Sequence, residues 1–597
     1  MPAPFDSGSW GNRVASVHTL FSHGVRWVVQ SQQPELVAQL QQETGNSEIL
    51  ARLLVNRGIT TAEAAHRFLH PDWNHLPDPF LLPDAQPAVN RLLLAIERRE
   101  KILVYGDYDV DGVTSAALWF HTLRKLNARV QAKVPHRKRD GYDIRVPVVD
   151  EAHRQGITLI LTCDCGIQAH DVVERARELG IDVIITDHHE PGTEVPRALA
   201  VVNPHLPHSQ YPFANLSGVG VSYRLGEALI RAKGFSPQNY RKHFLDLATL
   251  GTIADVMPLL EENRVFAWYG LPSIPQSRRV GVQALLSVAR VPTDKPVTMR
   301  QVQFALAPRI NAVGRLDDAA LALELLTTED PARALAIAQE LEEFNRRRRV
   351  EQQRILNEAL QQAARRDIAK EWVLVLSGEE WDKGVIGIVA SKVLEQYHRP
   401  TVMISVDTAC GVGRGSARSI RPYDIFRAIE ARRELFIECG GHTLAAGFSI
   451  RTEHIEELRQ HLNQLAHQWM SPEDLLPRID IDVLIEPADI TPELVDEIEK
   501  MEPFGHGNHE PVFLSRGLTI LEKRRVGSDG SHWKLTVRGE ALPPTGCIAF
   551  GLGDYDDRFA VGDEVDLVYV PQWNEFNGRR EIQLQVFDIR HSLGILE

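Results

Sequence analysis

This chain of 597 residues lacks any long apolar run. No window of its sequence approaches about 18 consecutive apolar residues, the length that marks a candidate membrane-spanning helix. Its first residues, MPAPFDSGSWGNR, contain no apolar core of the kind that a secretory signal needs. We therefore predict a cytoplasmic protein that does not enter a membrane.

Cysteine is scarce. The chain has five cysteines, an odd number at scattered positions. This usage is typical of a reducing compartment and not of a disulfide framework. Cys163 and Cys165 form a single C-x-C pair, and no second pair at zinc-site spacing accompanies them. The two are predicted to be small buried residues, with a zinc site as the less favoured alternative.

Positive charge is in deficit. There are 66 lysines and arginines against 80 aspartates and glutamates, which gives a net charge of −14. Such a balance repels nucleic acid in bulk, so a polyanion would have to bind a local basic surface. Candidate runs are HRKR at 136–139, RRRR at 346–349 and KRR at 523–525. Each run alone is more typical of a solvated face than of a binding site.

The length and the ordinary composition, 43% hydrophobic and 24% charged, favour several globular domains. From about Lys101 to Asn203, short β-branched runs alternate with helical patterns, which predicts a parallel sheet with crossover helices. A polar cluster follows each run: DYDVDG, CDCG, DHHE and NPH. Because the carboxyl ends of strands in open α/β sheets line the ligand crevice, we expect these four loops to meet in one cleft.

Three further segments follow. After Pro331 neither glycine nor proline occurs until Gly378, and strong helix formers between them predict a long helix that connects two lobes. A second α/β unit is predicted from about Trp372 to His467. Short strand-like runs separated by turns then predict a small β-barrel over roughly the last 110 residues. The expected fold class is α/β, with a parallel-sheet domain, a second α/β domain and a C-terminal barrel.

The predicted cleft is rich in carboxylates. It would collect Asp107, Asp109, Asp111, Asp164, Asp187, His188, His189 and Asp255. So many neighbouring carboxylates cannot all ionise without cations between them. A single aspartate after a strand is as often a helix cap or a turn residue, but the joint pattern has no ordinary packing explanation.

Oxygen ligands with one or two imidazoles suit manganese or magnesium better than zinc. The carboxylates are more numerous than one ion needs. We therefore expect two divalent ions, manganese or magnesium, that share a bridging carboxylate. Such a pair suits a phosphoryl displacement.

Four of these segments, GDYDVDG, CDCG, TDHH and ADVMPL, resemble the ordered motifs of the DHH phosphoesterase superfamily. Farther along, PRINAVGRLDD, GVIGIVASK, GSARS, CGGHTLAAGFS and PFGHGNHEPVF are similar to the bacterial RecJ family of single-strand-specific 5′ exonucleases. The resemblance covers nearly the whole chain. One position departs from it: Asp382, in WDKG, stands where the family commonly has histidine, which bears on a local contact of the second lobe and not on the metal chemistry.

The resemblance implies five segments. They are an N-terminal segment packing on the catalytic core (1–90), a DHH phosphoesterase domain (91–330), a connector helix (331–368), a DHH-associated substrate-binding domain (369–470) and an OB-fold nucleic-acid-binding domain (471–597).

The resemblance also implies roles for the residues of the cleft. The metal ligands would be Asp107, Asp109, Asp111, Asp164, His188 and Asp255. Asp187 would be a ligand or would orient a histidine and so fix its tautomer. His189 would lie beside the scissile phosphate, where it stabilises charge or protonates the leaving oxygen.

Substrate contacts are implied outside the cleft. The residues expected to bind the 5′ end and the first phosphates are Arg309, Asn311, Arg315, Ser416, Arg418 and His442. Glycines beside them permit close backbone approach, while arginine forks and serine hydroxyls bind phosphate oxygens. In the barrel, Lys523, Arg524, Arg525 and Trp573 are expected to follow phosphates and stack on bases. Trp533 is as well suited to filling the barrel as to binding.

The activity that the resemblance implies is 5′-to-3′ exonucleolytic release of 5′-mononucleotides from single-stranded DNA, in recombination and repair. The expected partners are single-stranded DNA and, among proteins, a helicase or a single-strand-binding protein, and the chain is expected to be a monomer. Two alternatives stay open: a DHH-type phosphodiesterase for oligoribonucleotides or cyclic dinucleotides, and a nucleic-acid-binding scaffold without catalysis. The long connector and the barrel count against the first, and the complete acidic and histidine motifs count against the second.

Overall fold

The computed structural model describes residues 19–22, 24–135, 143–316, 319–576 and 578–592, and for 19–22, 315–316 and 576 it describes the backbone only. The basic run at 136–139 lies outside the described residues. The chain divides into two compact units. One unit comprises the described residues up to His70, Pro472–Phe504 and those from His509 onward, and the other comprises Pro71–Ser471 and Gly505–Asn508.

The first described elements are two short strands and three helices: β1 (Thr19–Ser22), β2 (Val25–Val29), α1 (Pro34–Thr44), α2 (Glu48–Asn56) and α3 (Ala62–Leu69). The two strands pair antiparallel. Ser47 and Thr61 cap α2 and α3, because each side chain accepts a backbone N–H from the first turn of its helix.

A parallel-sheet domain follows. Its elements are α4 (Ala85–Glu97), β3 (Lys101–Gly106), α5 (Val110–Lys125), β4 (Arg129–Lys133), α6 (Val146–Arg154), β5 (Leu159–Cys163), α7 (His170–Glu178), β6 (Asp182–Thr186) and β7 (Ala200–Val202). The strands form one parallel sheet in the order β4-β3-β5-β6-β7. Helix α5 packs on one face of it, and α6 and α7 pack on the other. The predicted parallel sheet with crossover helices is confirmed.

Helices complete this domain. They are α8 (Gly218–Ala232), α9 (Pro237–Ala254), α10 (Glu261–Ser273), α11 (Val280–Ala289), α12 (Met299–Gln301), α13 (Ala307–Leu316) and α14 (Ala320–Thr327), with a π-helical stretch at Val302–Leu306. Buried residues of α8 and α9 share one core with α5 and with the sheet face that α5 covers.

The predicted long helix is α15 (Pro331–Ala364), which has 34 residues. Asp330 accepts the N–H of Ala332 and so caps its start. Its first half packs into the core of the parallel-sheet domain, and its second half packs into the core of the next domain. The helix therefore connects two lobes, as predicted. Three arginines of the basic run at 346–349 pair along the helix surface, where Glu342 and Glu343 accept from them, and Arg348 donates to Asn345.

The second α/β domain contains β8 (Leu374–Glu379), α16 (Ile386–Tyr397), β9 (Thr401–Asp407), β10 (Val412–Arg418), α17 (Ile425–Glu430), β11 (Phe436–His442), β12 (Ala445–Arg451) and α18 (Ile455–Trp469). Its sheet has the order β11-β12-β10-β9-β8, and only β8 and β9 run parallel. The predicted second α/β unit is confirmed.

The C-terminal region is the predicted barrel. The elements of this region are β13 (Arg478–Ile481), β14 (Val483–Leu484), α19 (Pro492–Glu499), β15 (Phe513–Val526), β16 (His532–Gly539), β17 (Leu542–Ala549), β18 (Glu564–Phe576) and β19 (Arg579–His591). Strands β14 to β19 form the barrel sheet, whereas β13 lies in the sheet of β1 and β2. The sheet closes because β15 pairs with both β16 and β18. Trp533, Leu535 and Val537 alternate into the barrel core.

The N-terminal strands belong to the barrel unit. Strand β2 pairs in parallel with β13, and Trp27 Nε1 donates to Asp588 over 2.7 Å. The division between the two units falls at His70, whereas the sequence predicted one N-terminal segment up to residue 90, packed on the catalytic core. Pairing between strands this far apart in the sequence is a tertiary contact that no local pattern carries.

Cys163 and Cys165 are both buried, and both Sγ atoms lie near the carbonyl oxygen of Tyr105. Burial raises the pKa of each thiol well above its usual range. The prediction of small buried residues is confirmed. Within the described ranges, no helix is both long enough and apolar enough to cross a membrane.

Candidate metal centre

Three aspartates begin the loops after three neighbouring strands. Asp107 follows β3, Asp164 follows β5 and Asp187 follows β6. The strands end at one level, because the register aligns Gly106 with Cys163 and Cys163 with Thr186. All three carboxylates are buried. The parallel sheet thus brings together three loops that are well separated in the sequence.

Helix α5 starts within the first of these loops. Asp109 caps the helix, since its Oδ1 accepts the N–H of Gly112 over 3.1 Å. Asp111 lies in the first turn and is only 1% exposed. It accepts the N–H groups of Gly218 and Val219, at 2.6 and 2.8 Å, from the start of α8. Two helix N-termini therefore hold two of the predicted ligands, where their dipoles favour negative charge.

Asp164 is held in an unusual conformation. Its φ is +62°, in the left-handed region, and its N–H donates to Thr186 O over 2.9 Å. Gly218 stands directly against it: a Cβ at position 218 would lie 2.5 Å from the Cβ and 2.6 Å from the Oδ1 of Asp164. Only glycine fits there. Sequence reasoning missed this residue, and the one available signal was a glycine just after the helix-capping Ser217.

His188 lies among the carboxylates. Its Nε2 is 3.1 Å from Asp164 Oδ1, 3.7 Å from Asp255 Oδ2 and 3.8 Å from Asp111 Oδ2. Asp255 reaches this point from the C-terminal end of α9. Burial, with a smaller effect from the charge of His189, lowers the pKa of His188 to about 4. A neutral imidazole at this point is suited to ligating a cation.

Asp187 orients the histidine pair. It accepts the backbone N–H groups of Ile167 at 3.0 Å and His188 at 2.7 Å, and its Oδ1 lies 2.7 Å from His189 Nδ1. Burial would raise the pKa of Asp187, but the side-chain and backbone hydrogen bonds from His189 and the charges of both histidines hold it below its usual range. An ionised Asp187 carboxylate would accept a hydrogen bond from His189 Nδ1.

His189 is the accessible member of the pair, with its side chain 42% exposed. Burial lowers its pKa, but the hydrogen bond to Asp187 and the surrounding carboxylates outweigh burial and raise the pKa to about 9. The loop after β7 fixes its backbone, since Asn203 Nδ2 donates to His189 O over 2.9 Å. Asn203 was expected only as part of a polar cluster and not as a site residue.

The chemistry of this cluster fits divalent cations. The structure describes three groups of potential ligand atoms in which all atoms lie within 4.8 Å of one another. These groups are Asp107, Asp109 and Asp164; Asp111, His188 and Asp255; and Asp164, His188 and His189. A ligand set made mostly of carboxylate oxygens, with one or two imidazoles, suits manganese or magnesium better than zinc.

Electrostatics points the same way. Burial first, and then the neighbouring carboxylates, raises the pKa of Asp107 to about 7 and those of Asp111 and Asp164 well above their usual range. Burial and the charge of Asp109 likewise raise the pKa of Asp255 to about 7. The buried Oδ1 atoms of Asp107 and Asp164 receive no hydrogen bond from any described residue. Buried oxygens of this kind call for a cation or a proton.

Two of the predicted substrate residues on α13, Arg309 and Asn311, contact other segments of the protein. Arg309 is largely buried, with its Nε 2.6 Å from Glu342 Oε2 on α15. Asn311 Oδ1 accepts the N–H of Val110 over 3.1 Å, which secures the loop between Asp109 and Asp111. The side chain of Arg315 lies outside the described residues.

The second domain brings its predicted residues together. His442 on β11 and Arg418 on β10 both lie opposite Ala445 of β12, and Ser416 is two positions before Arg418, so all three share one face of the sheet. Arg418 Nη1 lies 3.2 Å from Ser416 Oγ and 2.7 Å from Ala417 O. Within the described residues Arg418 has no carboxylate partner, and burial lowers its pKa.

Asp382, at the position that departs from the family pattern, caps the turn before α16, since its Oδ1 accepts the N–H of Gly384 over 2.7 Å. An aspartate therefore satisfies a local backbone donor at that position.

The predicted basic residues of the barrel fall on two faces. Lys523 lies 3.4 Å from Asp556 and Arg525 lies 2.6 Å from Asp557, so both are ion-paired. Arg524 points to the opposite face, is exposed and lies directly across from Lys534. Arg538 on the same strand as Lys534 is also exposed. None of these three cations has an acidic partner among the described residues, and the sequence analysis missed Lys534 and Arg538.

The barrel tryptophans differ. Trp533 is fully buried, and its Nε1 donates to Asp556 Oδ1 over 2.7 Å, so it fills the barrel. Trp573 stacks under the guanidinium of Arg580, with 4.2 Å between the guanidinium carbon and the ring centroid, and its Nε1 donates to Asp496.

Comparison with known proteins gives a consistent result. Three family models match: the DHH family, N-terminal domain, over residues 101–252; the DHHA1 domain over 370–468; and the RecJ OB domain over 481–588. The single-stranded-DNA-specific exonuclease RecJ of Bacillus subtilis is 36% identical over 564 residues, which are 94% of this chain and 70% of that protein.

Two crystal structures of RecJ from Thermus thermophilus share the fold. The complex with Mn²⁺ superposes with a TM-score of 0.80 at 31% identity, covering 96% of this chain and 81% of that chain. The complex with Mg²⁺ gives a TM-score of 0.74 at 29% identity, covering 96% of this chain and 79% of that chain.

Proposed function

The chain belongs to the RecJ family, and from that premise we propose that it is a metal-dependent exonuclease that degrades single-stranded DNA from the 5′ end and releases 5′-mononucleotides. The observation that carries the proposal is the buried cluster at the ends of β3, β5 and β6, with its unsatisfied carboxylate oxygens. Such a cluster has little use in a protein that only binds nucleic acid.

The cofactor is divalent metal, and we propose two ions. Asp107, Asp109 and Asp164 would hold one, and Asp111, His188 and Asp255 the other. Asp164 is the proposed bridge, because it belongs to one of these groups and its Oδ1 lies 3.1 Å from His188 of the other. Bound divalent ions supply charge neutralisation at a phosphate and activation of water.

His189 is proposed to act on the substrate. Asp187 holds its Nδ1, so the proton that His189 exchanges with the substrate would be carried on Nε2. A positively charged imidazole there would stabilise charge on the phosphate or protonate the departing 3′ oxygen. Asn203 and Asp187 act through His189 as positioning residues.

The 5′ end is proposed to bind in the second domain. Ser416, Arg418 and His442 share one sheet face, and Arg418 has no described carboxylate partner to compete with a phosphate. Arg309, Asn311 and Arg315 of α13 would support the approach to the cleft, the first two mainly by holding the surrounding structure. A terminal phosphate bound at a fixed point restricts cleavage to the first linkage, which produces the polarity.

Longer strands are proposed to contact the barrel. The face with Arg524, Lys534 and Arg538 is better suited than the ion-paired Lys523 and Arg525, since like charges directly opposite each other are unfavourable without a polyanion. Trp573 remains a proposed stacking residue. The proposed setting is recombination and repair in the cytoplasm, as a monomer, with a helicase or single-strand-binding protein as partner.

One experiment tests the reaction, its polarity and its strand selectivity together. Single- and double-stranded DNA, labelled at either end, is incubated with the parent protein and with Asp164→Ala in manganese, magnesium or EDTA. We expect mononucleotides from the 5′ end of single strands only, with metal only, and none from the variant. Preference for a dinucleotide over a long strand would assign the phosphodiesterase function instead. Absence of hydrolysis by the folded parent in either metal would assign the scaffold function.

A further inference from the structure

The unit that contains the metal centre has a second cavity. Its volume is about 920 Å³, which is within the usual range for a small-molecule site. None of the metal-centre residues lines it. Its wall includes the last turn of α5, whereas Asp109 caps the other end of that helix, about 24 Å away at 1.5 Å per residue over 16 residues. The cavity is therefore separate from the catalytic cleft.

The cavity is lined by cations that lack acidic partners. Lys125, Lys242 and Arg278 lie at the rim, are exposed, and form no ion pair with any described residue. Asp246 is the one carboxylate among the lining residues, and it already accepts from Arg279 and from Ser277. An anion would therefore meet an excess of positive charge.

Arg279, in the wall of the cavity, is a buried arginine whose guanidinium is only partly paired. Its side chain is only 9% exposed, and its Nη1 donates to both oxygens of Asp246 and to His243 O. Its buried Nε and Nη2 have no acceptor among the described residues. Among the described residues, Arg279 is the one arginine with two such buried donors. The positive field is also felt by His243, whose pKa is lowered to about 4 by burial and then by the charges of Arg279 and Lys125.

Aromatic side chains form much of the remaining wall. They are Trp73, Phe235, Tyr240, Phe244 and Tyr269, five of the 20 lining residues, against 7% aromatics in the whole chain. Phe235 is 57% exposed and presents an open ring face at this wall. A ligand with a flat aromatic body and a negatively charged group matches both halves of this wall.

We propose that this cavity is a binding site for a nucleoside phosphate, with the phosphate at Arg279, Lys242 and Arg278 and the base against Phe235 and Tyr240. Two kinds of molecule carry a nucleoside phosphate of this kind: a free mononucleotide and the end of a DNA strand. The site does not depend on the proposed exonuclease activity, because no residue of the metal centre contributes to it.

The test is calorimetric titration of the full-length protein in EDTA, which removes metal-dependent phosphate binding from the catalytic cleft. The probes are deoxyadenosine 5′-monophosphate, deoxyadenosine, inorganic phosphate, a 5′-phosphorylated oligonucleotide and an acidic peptide. We expect the monophosphate to bind at a site that the rim variants described below remove, at least about tenfold more tightly than either deoxyadenosine or phosphate alone. Stronger binding of the oligonucleotide, lost in the same variants, would identify a strand end as the source.

Variants locate the site. Lys242→Glu with Arg278→Glu changes only exposed rim residues and is expected to weaken monophosphate binding by about tenfold or more. Phe235→Ala is expected to weaken the monophosphate but not inorganic phosphate. The matched control is Arg129→Glu with Lys295→Glu, which reverses two exposed cations outside the lining. Equal loss in the control and the rim variant, equal affinity for phosphate and the monophosphate, or tighter binding of an acidic peptide would each overturn the proposal.

Discussion

Replacing Gly218 by alanine tests how the metal centre is held together. The new Cβ would lie 2.5 Å from Asp164 Cβ, 2.6 Å from its Oδ1 and 2.7 Å from its Cγ. Carbon atoms in contact normally stay about 3.5–4.0 Å apart, so Asp164 or α8 must move by about 1 Å. Moving α8 would also disturb Asp111, which accepts the N–H of Gly218 over 2.6 Å. Either movement displaces a proposed metal ligand.

The expected loss of activity is large, and the expected loss of stability is modest. A misplacement of about 1 Å at a catalytic group costs on the order of 100-fold in rate. Overpacking of a buried site costs about 1–3 kcal/mol in the free energy of unfolding. Helix propensity offsets up to about 1 kcal/mol of that cost, because alanine favours a helix more than glycine does.

Gly220→Ala is the matched control, because it lies on the same helix. A Cβ there would meet Ser217 Oγ at 3.2 Å and Leu216 Cβ at 3.3 Å, contacts that small side-chain shifts can relieve. The assay compares initial rates on 5′-labelled single-stranded DNA, the manganese concentration for half-maximal rate, and the melting temperature. A rate for Gly218→Ala within about twofold of both the parent and Gly220→Ala would refute the reasoning.

Three other predictions concern pH, the histidine pair and the barrel. In EDTA, the free energy of unfolding should fall as pH rises from about 4 to about 7. The reason is that Asp107 and Asp255, whose pKa values are raised to about 7 in the folded protein, keep protons that the unfolded chain has already released. Manganese should remove this fall, and a melting temperature that rises over this interval in EDTA relative to manganese would contradict the prediction. Asp187→Asn should lower the rate by about 10–100-fold with the fold retained, and it should lower the pKa of His189 as measured by NMR titration. The control is Asp171→Asn, in the exposed first turn of α7, which should change neither the rate nor that pKa. The double variant Arg524→Ala with Lys534→Ala should reduce the slope of log affinity against log salt concentration by roughly 1.4 on a long single strand and change it little on a very short one. An equal effect of Lys523→Ala with Arg525→Ala, which removes the ion-paired residues, would argue against the exposed face as the binding surface.

Local patterns predicted the elements that local physics controls. The run of strong helix formers after Pro331 became α15, and the alternating runs from Lys101 became a parallel sheet. The polar clusters could be assigned to one edge because parallel strands all end on the same side of their sheet. Cys163 and Cys165 are small and apolar in character, and burial was their expected state.

Long-range contacts were out of reach of such patterns. Arg309 and Arg418 look alike in the sequence, yet Arg309 is paired with Glu342 and Arg418 has no described carboxylate partner. Trp533 and Lys534 are adjacent, yet one fills the barrel and the other is exposed opposite Arg524. Which face a strand residue occupies depends on register, and register is set by pairing with distant strands.

The sequence by itself determined the chemistry of this protein: which carboxylates and imidazoles follow which strands, and hence the divalent-metal cluster and the family. The tertiary structure alone decided how that chemistry is held. Gly218 meets Asp164 from a helix 54 positions later, Asn203 meets His189 from the far end of strand β7, and Asp187 accepts from Ile167 as well as from its own neighbours. The physical reason is that ligand identity is a property of single residues, whereas close packing and hydrogen-bond partners arise only when distant segments meet.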